Sequence, residues 1–318
     1  MNNKYNIKDS DIVIFHIGGG VGGYGPIDHV LKEFPENCVL FDFEAVEPDN
    51  KPPIEGLVRV ISINECIGEK TGTYPFYVNK ERDSSSMLLP SNKTVNDHVG
   101  TFVSNSKVFT WGQNTEIEKT IEVDTITLSD FINENNIIPD ALSIDAQGLE
   151  FNIMKGCKDY LKLINNLVTE VEFYEIHKDQ GLFSDQMNLL FKNDIRLMEI
   201  INIQRWHPGP VIGEGFMTVG EAIWFKCIDN FLKDLNHASI MRGIKLAAMA
   251  YSYSRYSYAY TILKELRSRE ANIPIICNNN GFGKLNKLME IIDNNLDKYN
   301  NDKYFLENNV RKLLEVQR

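Results

Sequence analysis

The chain has 318 residues, 43% hydrophobic and 24% charged, ordinary values for a globular chain with a sizeable core. A net charge of −11 excludes nucleic acid as the default partner, because no basic excess is present to neutralise phosphates. No apolar run approaches the ~18 residues that span a bilayer and the first residues lack an apolar leader core, so a cytoplasmic protein is expected.

Asp11–Ile17 is a short apolar, β-branched run, as expected for a strand covered on both faces. Gly18–Gly25 follows at once, rich enough in glycine for a sharp turn and close approach to a ligand. Pro26–Phe34 has helical spacing in Ile27, Val30, Leu31 and Phe34, and Cys38–Glu44 reads as a second strand with carboxylates at its end. A glycine turn opening a helix, with an acid on the next strand, suits a nucleotide-like ligand. Gly18-x-Gly20-x-x-Gly23 fits the dinucleotide fingerprint, and Gly18-x-Gly20-x-Gly22 fits the looser pattern of methyltransferases. The stretch alone leaves both open.

Pro48–Gly56 is a turn-rich acidic loop, and Val58–Ile63 a third strand ending near Asn64 and Glu65. Thr73–Val78 reads as an edge strand, since Pro75 has no N–H for a central ladder. Lys80–Ser106 is polar and too long for a plain connection, which suggests a functional loop or lid. Glu118–Val123 resumes strand character, and Thr127 or Ser129 caps a helix with Leu128, Phe131 and Ile132 inward. Ala141–Asp145 is a buried-type strand ending on a carboxylate; a Gln147-Gly148 turn and a helix over Leu149–Cys157 follow. Leu167–Phe173 is another strand, Tyr174–Gly181 a polar loop and Phe183–Asn193 a helix, with Arg196–Ile203 and Glu221–Lys226 as an antiparallel closing pair.

Strands alternating with helices to about residue 195 predict an α/β fold with a largely parallel sheet. Ligands in such sheets sit beyond the carboxyl ends of the strands. Gly18–Gly25, Glu44, Asn64-Glu65, Asp145 and Glu172–His177 then fall on one rim. After Ile228 the pattern turns helical, in Met241–Arg269, Leu285–Leu296 and Tyr304–Val316. The tyrosines at 251, 253, 256, 258 and 260 read as core or interface rather than a carbohydrate platform. The five cysteines (Cys38, Cys66, Cys157, Cys227, Cys277) are odd in number and without a C-x-x-C pair, as free thiols in a reducing compartment would be.

Phe15–Gly22, the acidic strand end at Glu44, Asn64–Gly72, Ser84–Leu88, Val123–Leu128, Ala141–Gly156 and Glu170–Phe173 occur in that order. This succession resembles the FkbM family of S-adenosylmethionine-dependent methyltransferases, over residues 11–227. Ile144–Glu150 with Lys155-Gly156 is its most specific part. The resemblance implies a Rossmann-like seven-stranded methyltransferase sheet in residues 1–228 and leaves 229–318 as an all-helical C-terminal extension. It implies S-adenosyl-L-methionine as cofactor and O-methylation of a hydroxyl on a sugar, glycan or other hydroxylated small molecule.

On that resemblance Gly18, Gly20 and Gly22 bring main chain to the methionine part of the cofactor. Glu44, directly on the strand end, receives the ribose hydroxyls, with Glu47 in reserve. His16 stands where the family usually has an acid, which leaves the cofactor ammonium one carboxylate fewer. Asn64 and Glu65 are candidates for the adenine edge, and Asp145 holds the ammonium or orients the acceptor. Proton removal from a hydroxyl acceptor falls to His177, whose ordinary pKa of ~6.5 suits a general base, or to Glu172 or Asp145. His207-Pro-Gly-Pro reads as a rigid turn beside the acceptor. No metal is expected, because no ligand spacing such as H-E-x-x-H is present. Two rivals stay open: an NAD(P)-dependent oxidoreductase, and an inactive methyltransferase-like assembly protein. In the latter the C-terminal helices dock a partner; they are also the expected homo-oligomer surface.

Overall fold

The computed structural model describes residues 4–18, 24–44, 58–91, 101–104, 107–206, 215–228, 236–294 and 312. Its strands, in chain order, are β1 (Ile12–Gly18), β2 (Cys38–Phe43), β3 (Arg59–Ile63), β4 (Cys66–Gly68), β5 (Gly72–Asn79) and β6 (Thr101–Ser104). They continue as β7 (Lys107–Thr110), β8 (Ile117–Thr127), β9 (Ala141–Asp145), β10 (Asn166–Glu172), β11 (Ile195–Trp206) and β12 (Phe216–Lys226). The main sheet has seven strands in the order β11-β12-β10-β9-β1-β2-β3. Six of them run parallel; β12 alone is reversed, pairing antiparallel with both β10 and β11.

The strands expected at Thr73–Val78 and Glu118–Val123 form, as β5 and β8, but they stand outside this sheet. With β4 they make a separate three-stranded sheet in the order β4-β8-β5. The first half of β8 is exposed on both faces, and such a strand does not belong in the middle of a layered sheet. Pro75 sits on β5, an edge, as its missing N–H requires. The β6–β7 hairpin occupies the end of the polar Lys80–Ser106 stretch and the residues after it.

Alternation along each strand sorts side chains onto two faces. Ile12 and Ile14 join Leu40, Ala141, Val168, Ile223 and Phe225 on one face. Val13, Phe15 and Ile17 join Phe41, Phe43, Leu142, Ile144 and Trp224 on the other. The second face is covered by α3 (Leu128–Asn135), α4 (Glu150–Gly156) and α5 (Phe183–Lys192); shorter helices α1 (Asp28–Glu33) and α2 (Trp111–Asn114) precede them. Thr127 is the cap of α3, its hydroxyl accepting the Asp130 N–H at 3.0 Å. Phe15, Phe43 and Phe131 meet edge to face at 4.8–5.5 Å, which fixes the ends of β1 and β2 relative to each other.

The first face is covered by α1 together with the C-terminal helices α6 (His237–Ser252), α7 (Tyr256–Arg269), α8 (Ile273–Asn279) and α9 (Gly283–Asp293). These helices share one hydrophobic cluster with β1, β2 and β12. The single helical run expected over Met241–Arg269 is two helices, broken where Ser254 takes φ +59°. Tyr251, Tyr253 and Tyr260 are buried in this packing. Cys38, Cys157 and Cys277 are buried free thiols, and Cys66 and Cys227 are half-buried ones. No described helix is long and apolar enough to cross a membrane. Pro48–Gly56, Glu47, Gly20, Gly22, His207-Pro-Gly-Pro and the helix expected at Tyr304–Val316 lie outside the described residues, save residue 312.

One buried ion pair pins α6 to the sheet. Asp140, just before β9, accepts the Val13 N–H at 2.9 Å and the Lys245 ammonium at 3.0 Å on the same oxygen. Asp140→Ala leaves a buried ammonium and an orphaned N–H, so a stability loss of about 3 kcal/mol is expected in urea titration. A loss under about 1 kcal/mol would contradict this role.

Candidate functional site

β1 and β9 end side by side, and Gly18 pairs in register with Asp145. The strand order turns back at this point: β2 and β3 lie to one side of β1, β9 and β10 to the other. Open parallel sheets bind ligands at such a place. Gly18 has φ +80°, and a Cβ there would overlap the carbonyl oxygen of Asp145. Only glycine fits.

The register carries acids across the sheet. Thr169 of β10 pairs with Ile144, so the next residue, Glu170, comes level with Asp145. In the antiparallel ladder Glu170 faces Glu221 of β12. Gly18, Asp145, Glu170 and Glu221 thus form one row over β1, β9, β10 and β12. Asp145, Glu170 and Glu221 open onto a cavity of about 70 Å³, completed by Tyr24, Gly25 and Pro26 at the turn into α1 and by His16, Ser143, Ile144 and Val168. Among the described residues neither lysine nor arginine lines it.

Burial raises the glutamates of this region above their ordinary range. Glu170 is pushed well up by desolvation and then by the charges of Asp145, Glu172, Glu150 and Glu221. Glu172 is pushed up by burial and then by Glu150 and Asp145, with partial relief from its own main chain and the Gln180 amide. Glu150 is raised by burial to about 7, although it accepts N–H bonds from Ala146 at 2.7 Å and Gly148 at 3.3 Å. Glu221 is raised by burial, opposed by a hydrogen bond from Asn202. Like charges placed opposite each other destabilise a sheet, and such clusters of shifted groups concentrate at functional sites.

The turn after β9 ties the cluster together. Gln147 donates to Asp145 at 3.0 Å and to Glu170 at 3.4 Å. Ser86, inside the Ser84–Leu88 segment, donates its hydroxyl to the Gln147 carbonyl at 2.7 Å.

The residues singled out in the sequence are scattered more widely than one rim. His16 is buried, with Nδ1 3.0 Å from the Ser143 hydroxyl and its ring edge-on to Tyr24. Glu44 is half-buried just past β2, its N–H donating to Ile63 at 3.3 Å. Asn64 and Glu65 are exposed between β3 and β4, and neither lines the cavity. Glu172 and His177, expected on a solvated rim, are instead buried at 0% and 1% exposure. The Tyr174–Gly181 loop is tucked beneath Trp111, Trp206 and Val219, which convert a polar segment into an inner wall. The His177 imidazole lies edge-on to Trp111 and against Gly148, where a Cβ would come 2.8 Å from Nδ1. Its pKa is lowered by burial to about 4.

Glu170 and Glu221 were not singled out as site residues in the sequence. The signal is there in part: Glu170-Val-Glu172 places two acids on one face of a largely buried strand. The pairing of Glu170 with Glu221 across fifty residues needs the fold.

Two outcomes are expected. Gly18→Ala must push β9 aside and should cost at least about 2 kcal/mol in chemical denaturation; a neutral substitution would contradict the close approach. An unfolded chain protonates His177 near pH 6.5, whereas the folded ring resists until about 4, so its contribution is present above pH 6.5 and lost below. Between pH 7 and 4.5 wild type should therefore lose about 2.4 kcal/mol more stability than His177→Gln. Parallel acid slopes would contradict a neutral buried ring.

No curated protein and no solved structure matches the chain. The family comparison matches the Methyltransferase FkbM domain to residues 24–197, more than half of the chain. The match takes in Asp145, Glu150, Glu170 and Glu172 and stops short of Glu221. The sheet order with its one reversed strand agrees with that assignment. The chain belongs to the FkbM methyltransferase domain family.

Proposed function

We infer that the protein transfers a methyl group from S-adenosyl-L-methionine to a hydroxyl oxygen of a sugar, glycan or similar hydroxylated small molecule. The observation that carries this reading is the cavity beside Gly18, lined by three carboxylates and, among the described residues, by no lysine or arginine. A dinucleotide would place a doubly charged pyrophosphate against Gly18 and the following helix start, where these carboxylates repel it. A cofactor ending in a sulfonium and an ammonium is drawn there instead. The residues present therefore fit the adenosyl sulfonium and disfavour a nicotinamide dinucleotide.

When bound, S-adenosyl-L-methionine supplies a methyl group on a cationic sulfur that leaves as a neutral thioether. Gly18 admits the ligand to the main chain at the ends of β1 and β9. Glu44, one residue past β2, is assigned the ribose hydroxyls. Asp145 and Glu170 face the cationic end and hold the acceptor oxygen in line, a restriction that can supply on the order of 7–11 kcal/mol. Glu221 lines the same cavity, and burial holds its carboxyl above the usual range, which suits it to receive the acceptor proton. Glu172 and His177 are buried and do not line the cavity. His16 lines the cavity with Ser143 and Tyr24, its Nδ1 against the Ser143 hydroxyl and its ring edge-on to Tyr24. Five free thiols fit a reducing cytoplasm.

Isothermal titration separates the readings. S-adenosylhomocysteine should bind the full chain, NAD should not, and Glu44→Ala should weaken S-adenosylhomocysteine at least tenfold. Heat with NAD alone would overturn the proposal.

A further inference from the structure

Asp145, Glu150 and Glu170 each offer a carboxylate oxygen, and the three oxygens lie within 4.8 Å of one another. They come from the end of β9, the first turn of α4 and the end of β10, so no spacing in the sequence announces them. We propose that this trio is a divalent-cation site, for Mg²⁺ or Mn²⁺, beside the cavity that Asp145 and Glu170 line.

Acidic neighbours alone do not make a site; the buried groups around these three are what point to an ion. Glu172 is fully buried, shares its strand face with Glu170, and makes no hydrogen bond of ordinary geometry through either carboxylate oxygen. Glu150 is likewise fully buried, and its Oε2 has no partner. His177, pressed against the Gly148 turn that joins Asp145 to Glu150, has no partner at either ring nitrogen. Buried polar atoms are nearly always satisfied, so a group of them without protein partners calls for a ligand such as an ion.

Charge balance favours the ion. Among the described residues no lysine or arginine pairs with Glu150, Glu170, Glu172 or Glu221. All-oxygen donors of this kind suit hard divalent ions. Binding of the ion rests on no assumption about the reaction. Its role rests on the methyl-transfer reading: beside the acceptor it would hold the hydroxyl oxygen and ease loss of its proton.

The test uses the full chain after EDTA treatment, with neither cofactor nor acceptor present, so its outcome is separate from that of the S-adenosylhomocysteine titration. Mn²⁺ binding is read by electron paramagnetic resonance and calorimetry. One Mn²⁺ per chain is expected, displaced by Mg²⁺, with affinity reduced at least tenfold in both Glu150→Gln and Glu170→Gln. Glutamine keeps an acceptor oxygen for the Ala146 and Gly148 N–H groups and is as neutral as a protonated carboxyl, so the metal-free variants should melt within a few degrees of wild type. Failure of wild type to bind Mn²⁺ stoichiometrically would overturn the site and leave protons shared among the carboxyls. Binding unchanged in both variants would overturn it equally.

Discussion

At the centre of the molecule the main chains of β1 and β9 come so close that Gly18 and Asp145 leave no room for one carbon atom between them. Everything of chemical interest is arranged by that contact. It fixes the level at which β9 ends, and hence where Asp145 stands. The parallel register of β10 then sets Glu170, and the reversed β12 brings Glu221 opposite. A row of acids across a sheet is costly to assemble, and the two packed faces beneath it supply the rigidity that keeps the row in place.

The C-terminal helices belong to this arrangement. They seal the face of the sheet that carries Ile12, Ile14 and Ile223, the same face on which His16, Asp145, Glu170 and Glu221 stand further along the strands. The Asp140–Lys245 pair anchors them at the opposite end of β9 from Asp145. Residues outside the FkbM match thus complete the layer under the candidate site, and Glu221 itself comes from that unmatched part.

Much of the fold was legible in the sequence, because period and caps are local. The apolar run before Gly18, the Thr127 cap, and the strand ending at Asp145 all stand where the pattern put them. The second sheet was not legible: β5 and β8 read as strands, but alternation does not say which sheet a strand joins. For the site, Gly18, Asp145 and Glu44 could be picked out as strand ends. Glu221 could not, since its importance comes from a register across β10 and β12. His177 was read as a loop residue because its neighbours are polar; the aromatic lid of Trp111 and Trp206 that buries it lies far away in the chain.

The central claim is that a cationic adenosyl cofactor seats its charged end among the carboxylates beside Gly18. A crystal structure of the full chain with S-adenosylhomocysteine tests it most directly. The expected result places the ribose on Glu44 and the sulfur opening onto Asp145 and Glu170. Density for the ligand away from Gly18, or with its sulfur turned from the acid row, would contradict it.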